Sequence, residues 1–286
     1  MSITAGHLAA LWRAETSKLF TRGSARAGLL IAGLLALAAL VVLWRVEASG
    51  MILNGAPVGE LLTETSNAPG ALRWGLLARN FFVLRAFLIL VGAQSVAGEL
   101  QARTLREDLL RPVPRWSVVV AKWGALATWI AASLGIAWVI GALGGSLLLG
   151  TDGPWGEVAL GYVASWACDV GFATLVMAIS LAVRGVAGTV MGVFLFLVLD
   201  TFLGWGLTIL AWAAGIDVIR QSAGAMAGLL DLVVKANPWL PSSAFAAWRG
   251  VAPDAPWVWQ SFVALLLVTL VAMVATERQL SRLDVP

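Results

Sequence analysis

The sequence predicts an all-α membrane protein with six transmembrane helices. Three observations predict it. First, 60% of the 286 residues are hydrophobic, only 12% are charged, and the mean hydropathy is +0.88. A soluble domain carries about 25% charged residues. Second, apolar runs recur six times along the chain, each long enough for a helix to cross a hydrocarbon core of roughly 30 Å. Third, the basic residues sort to one side of those runs. Such runs are too long for barrel strands, and helices alone satisfy their own backbone groups in lipid.

The chain begins with a segment, 5–22, that reads as an amphipathic helix on the inner leaflet. Leu8, Leu11, Trp12 and Leu19 recur near helical spacing, with Arg13, Ser17, Lys18 and Arg22 mostly elsewhere. Glu15 and Thr16 interrupt the stripe, so a bare basic topology anchor is the alternative. The spans are expected at about 27–46, 80–98, 121–149, 158–183, 187–215 and 256–276. The first has an uncharged run of 18 residues, the third one of 28 and the sixth one of 22. Val46-Glu47-Ala48 faintly resembles a signal-peptide cleavage site. The 26 residues before the run and the run's own length argue against cleavage.

With six spans both termini share a side, and that side holds 12 of the 19 basic residues. The positive-inside rule makes it cytoplasmic, and the alanine, tryptophan and arginine bias suggests a GC-rich bacterium and hence its inner membrane. Trp44, Trp74, Trp155, Trp239, Trp248, Trp257 and Trp259 then fall near the outer interface, and Trp116 and Trp123 near the inner one, where indoles prefer to sit. The outer segments are 47–79 and 216–255. The first, with Gly55, Pro57, Gly59, Pro69, Gly70 and Glu47, Glu60 and Glu64, reads as a solvated acidic loop. The whole chain, 1–286, reads as one transmembrane domain, with no nucleic-acid signal.

The chemistry of a catalyst is missing from the residue list. Lys18, Lys122 and Lys235 follow Ser17, Ala121 and Val234, so no Gly-Lys-Ser/Thr phosphate loop exists. His7 is the only histidine, which excludes a multi-histidine metal site and disfavours a catalytic triad. Cys168 is the only cysteine and lies in an apolar run, as a small hydrophobe does. The expectation is a chain that is no enzyme and binds no metal.

The stretch 99–117 between spans two and three is the most informative. It reads Glu99-Leu100-Gln101-Ala102-Arg103-Thr104-Leu105-Arg106-Glu107-Asp108-Leu109-Leu110-Arg111-Pro112-Val113-Pro114-Arg115, followed by Lys122. Thr104 with Glu107 forms a possible capping box. Leu105 and Leu109, with the neighbouring Leu110, line one face of a short helix, which Pro112 and Pro114 stop. Such a leucine face suits a partner's groove, with packing on this chain's own helices as the alternative.

Here the chain resembles the permease subunits of type-2 ABC exporters. The resemblance rests on the order of Glu99, Thr104, Leu105, Leu109, Leu110, Pro112, Arg115 and Lys122. One departure is Arg103, where that family usually has Gly. The resemblance implies a permease dimer, with itself or a paralogue, and two separate cytoplasmic P-loop ATPase subunits that bind ATP and Mg. It also implies a coupling helix near 104–110 that docks on the ATPase through Glu99, Thr104, Leu105, Glu107, Leu109, Leu110, Arg111, Pro112 and Arg115.

Three charges fall inside spans: Arg85, Asp169 and Asp200. A lone charge at the bilayer centre costs roughly 2.5–3.5 kcal/mol on insertion scales, so each must pair or face the bundle interior. Arg85 is expected to pair with one aspartate while the other borders a translocation path. Gly141/Gly145 and Gly188/Gly192 are two Gly-x-x-x-Gly pairs, suited to a dimer face or to packing within the chain. The functional expectation is an ATP-driven exporter permease. The alternatives are a secondary transporter or channel with an Asp169/Asp200 relay, or a membrane scaffold of an envelope complex.

Overall fold

A computed structural model describes residues 5–49, 52–53, 56–57, 66–80, 82–105, 114–214, 239–240, 244–245 and 258–281. The fold is helical. Helix α1 (Ala5–Thr21) turns at Arg22 into α2 (Gly23–Ser49). Two-residue strands β1 (Ile52–Leu53) and β2 (Ala56–Pro57) pair antiparallel. Then follow α3 (Ala68–Arg79), α4 (Phe82–Ala93), a π-helical turn (Gln94–Gly98) and a last turn (Glu99–Gln101). Helices α5 (Arg115–Leu148), α6 (Trp155–Val183), α7 (Val186–Ala214) and α8 (Val258–Ser281) complete it.

Four helices are long and apolar enough to cross a membrane: α2, α5, α6 and, within α8, Trp259–Leu280. The pair Ala68–Arg79 and Leu84–Gln101, bent by 53°, makes a fifth if it is one span. Within α7 the apolar stretch Val186–Asp200 is shorter. Among the described residues the count is therefore four or five, against the six expected. The molecule is a multi-pass helical membrane protein.

The outer segment 47–79 departs from expectation over its last third. Residues 68–79 are not a loop but a helix with a buried face: Leu72 is fully buried and Arg79 is 1% exposed. The reason is local. Asn67 takes an extended N-cap conformation, and its Oδ1 accepts the Gly70 N–H at 2.8 Å. Pro69 then sits in the first turn, where no intrahelical N–H is lost. Pro69 and Gly70 look like loop breakers in the sequence yet start a helix. A helix thus precedes residue 80, where the second span was expected to begin, and meets the next one at a bend of 53°.

Helix α3 lies antiparallel along α5. The Ala68 N–H donates to the Gly150 carbonyl at 2.9 Å, just past the end of α5. Farther along, Arg79 reaches Ser133 in the middle of α5. Small residues allow this approach. A Cβ built on Gly145 would lie 2.8 Å from the Ala68 Cα, and one on Gly141 would lie 2.8 Å from Leu72 Cδ2. Gly145→Val therefore drives a side chain into backbone that cannot yield. We expect a loss of roughly 1–3 kcal/mol, measured as a lowered melting temperature in mild detergent. Gly135→Ala, with open space around it, is the matched control and should change nothing.

Helices α5 and α6 form the centre of the bundle. Trp129 is fully buried and its indole N–H donates to the Ala25 carbonyl at 3.0 Å. Ala25, Gly28, Ala32 and Ala36 give α2 a small-residue face on that side, and Gly28 touches the Trp129 ring. Outward faces carry exposed Leu30, Leu34, Leu143, Leu160, Phe202 and Val271, as lipid contact requires.

Candidate functional site

Two buried polar clusters stand out in this apolar bundle, one at the end that holds α1 and one at mid-depth. The first joins four elements. Glu99 follows directly on the π-helical turn and is 6% exposed. Its Oε1 accepts from Arg22, at the α1–α2 bend, at 2.6 Å. Its Oε2 accepts from Lys122 of α5. Lys122 is 3% exposed and also donates to Glu15 Oε2 of α1 at 2.7 Å. Lys18 closes on Glu15 Oε1 at 3.0 Å. At the same end Arg115 donates to the Leu280 carbonyl of α8 at 2.8 Å. One charged network thus ties α1, the α1–α2 bend, the foot of the second span and α5.

Burial raises the pKa of Glu15, but the charges and hydrogen bonds of Lys122 and Lys18 outweigh it and hold the carboxyl below its ordinary 4.5. The sign follows. A depressed carboxylate contributes stability above its unfolded pKa, and that contribution disappears as pH falls through the folded value. The attachment of α1 is therefore expected to hold at neutral pH and to loosen below pH 4.5. Hydrogen exchange of α1 amides across acidic pH checks this, and Glu15→Gln should remove the dependence.

The second cluster forms where α3 ends. Arg79 pairs with Asp169 of α6 and donates to Ser133 Oγ of α5 at 2.7 Å and to Asn80 Oδ1 at 2.6 Å. Asn80 Nδ2 donates to Ser165 Oγ at 2.8 Å. Ser133 and Ser165 are fully buried, and Asp169 is 7% exposed. Its place at the end of α3 suits Arg79, because a cation at a helix C-terminus meets the negative end of the macrodipole. Tyr162 of α6 also donates to the Leu72 carbonyl of α3 at 3.1 Å.

Asp169 takes Arg79 as its partner, a residue assigned to an outer loop. Arg85 donates to the Phe245 carbonyl at 2.9 Å. Asp200 is buried in α7, 7% exposed. Gly141 and Gly145 pack on α3, Gly188 lies against Val183, and Gly192 lies near Ile179. Gly141 and Gly145 are thus buried against this chain's own α3, while Gly188 is exposed and Gly192 half-buried.

In the segment 99–117, Glu107, Leu109, Leu110, Arg111 and Pro112 lie outside the described residues. Thr104 Oγ1 donates to the Glu99 carbonyl at 3.5 Å. Leu105 does not line an open face: it is 1% exposed and belongs to the apolar core of this chain. Helical residues 115–117 already belong to α5. Sequence reasoning missed Glu15 and Arg22 as partners of Glu99 and Lys122. A polar break in the α1 stripe was their only signal.

No curated protein sequence matches the chain. A family model described as ABC-2 family transporter protein matches residues 26–204, from α2 through most of α7, with Glu99, Lys122 and the whole mid-depth cluster inside it. The match spans more than half of the 286 residues, and the chain belongs to that family.

Proposed function

We propose that this ABC transporter permease works as an exporter subunit driven by a separate cytoplasmic P-loop ATPase. The observation that carries the reading is Glu99, bound at both carboxylate oxygens between Arg22 and Lys122. That grip makes the start of the segment 99–117 one rigid piece with α1 and α5. A push on the segment then moves the spans as a body. Two permease copies and two ATPase subunits form the unit, ATP and Mg sit in the ATPase, and this chain does no bond chemistry. Leu109 and Leu110 carry the docking face, since Leu105 packs inward.

Six spans with both termini cytoplasmic fit the bundle. Helix α7 has 29 residues, about 43 Å at 1.5 Å per residue, enough to cross. The Arg115–Leu280 contact puts the end of α8 beside the start of α5, at the end where α1 lies. Extraction of the tagged protein in mild detergent tests the reading. A stoichiometric P-loop ATPase should co-purify, and Leu109→Asp should release it without removing the permease from the membrane. No ATPase after cross-linking would overturn the reading in favour of an intramembrane carboxylate relay.

A further inference from the structure

We infer that Arg103 and Arg184 form a paired anchor for carboxylates on the ATPase partner, a second contact beside the coupling segment. The inference rests on the reading of an ATPase partner given above. Among the described residues, only Arg103 (φ 61°) and Arg184 (φ 58°) are non-glycine residues in the left-handed region. L-residues with a Cβ are strained there and glycine is not. Both stand at the ends of helical segments that run toward the α1 end: Arg103 follows Ala102, the C-cap of Glu99–Gln101, and Arg184 is the C-cap of α6, its N–H donating to the Ser180 carbonyl.

The two turns touch. Gln101 Nε2 lies 3.5 Å from where a Cβ on Gly185 would sit, and Val186 Cγ2 lies 3.6 Å from one on Gly98. Both arginines are exposed. Among the described residues neither guanidinium has a hydrogen-bond or ion-pair partner, whereas Arg22, Arg73 and Arg79 all do. A glycine stands next to Arg184 at Gly185, yet the arginine occupies the left-handed position.

Topology alone explains basic residues at inner span ends. It does not explain why both sit in the conformation that glycine would take without strain. Strain kept at two adjacent exposed turns marks side chains that do something there. Two guanidinium forks that have no partner among the described residues suit carboxylates, which they bind bidentately.

The test uses the full chain in phosphatidylcholine nanodiscs with the ATPase that co-purifies with it. Two double variants are compared, R103G/R184G and R103E/R184E. The glycine variant should match or exceed wild type in melting temperature, because it relieves the backbone. It should nevertheless retain less ATPase, and the glutamate variant should retain roughly tenfold less or worse. The wild-type complex should weaken as salt rises. Full ATPase retention by both variants would overturn the inference and leave the permease reading standing. Capture by wild type only in anionic-lipid discs would overturn it too, because the arginines would then read lipid headgroups. Wild type that captures no ATPase in either lipid would overturn the permease reading, and this inference with it.

Discussion

Asp169→Leu is expected to remove most of the folded protein from the membrane. It leaves the Arg79 guanidinium, 1% exposed, without its counter-charge. Removing one member of a buried ion pair costs about 3–5 kcal/mol, because the other charge stays buried and unpaired. Total stability of a domain is only about 5–15 kcal/mol. The double variant Arg79→Leu with Asp169→Leu removes both charges. It should recover most of the melting temperature, and Asp169→Asn should fall between. Size-exclusion profiles of heated detergent extracts measure the series. If the double variant is no better than the single, the pair is not the source of the loss. Transport by the recovered double variant then separates two roles. Retained transport makes the pair a packing device, and lost transport puts it on the substrate's route.

Lys122→Met should have an effect of similar size with a different signature. It leaves Glu15 and Glu99, both buried, facing one another without the ammonium between them. About 3–5 kcal/mol is again the scale. The damage should concentrate where the network ran. Amides of α1 and of the 99–105 stretch should exchange faster, while those of α6 stay protected. Adding Glu15→Gln and Glu99→Gln should restore much of the stability by removing the stranded carboxylates. Under the permease reading it should not restore coupling, measured as substrate-stimulated ATP hydrolysis by the assembled complex. Uniform loosening across the bundle would refute a local role for the network.

The apolar spans were legible because lipid solvation writes itself into composition. Runs 27–44, 123–150 and 158–183 leave little choice of structure. The helix α3 was not legible for two reasons. Its Pro69 and Gly70 are breakers everywhere except in a first turn, and Arg73 and Arg79 depress its hydropathy below that of a span. Arg79 looked like a loop residue because its counter-charge stands ninety positions away on α6. Asp169 was legible as costly and therefore paired, but periodicity cannot name a partner on another helix. Glu99 and Lys122 were singled out by resemblance, while their bonds to Glu15 and Arg22 required the bundle. Leu105 shows the reverse failure. An apolar stripe does not say whether it faces a partner or its own core.

The π-helical turn at Gln94–Gly98 sets a rule about length. A π turn holds one residue more than an α-helix uses for the same advance. Upstream, Gly92 is wedged against Val176, with a built Cβ only 2.9 Å from Val176 Cγ1. Downstream, Glu99 is clasped by Arg22 and Lys122. Both ends of this short stretch are thus anchored, and the surplus residue reconciles their phases. Deleting Ser95 would take out that surplus and return the stretch to α pitch with Glu99 near its place, whereas inserting a residue would swing Glu99 by about 100° around the axis. Most surface stretches tolerate the gain or loss of a codon. This one, with Ser95, Val96 and Ala97 buried between its two anchors, is expected to bear the loss of one residue and to fail on the gain of one.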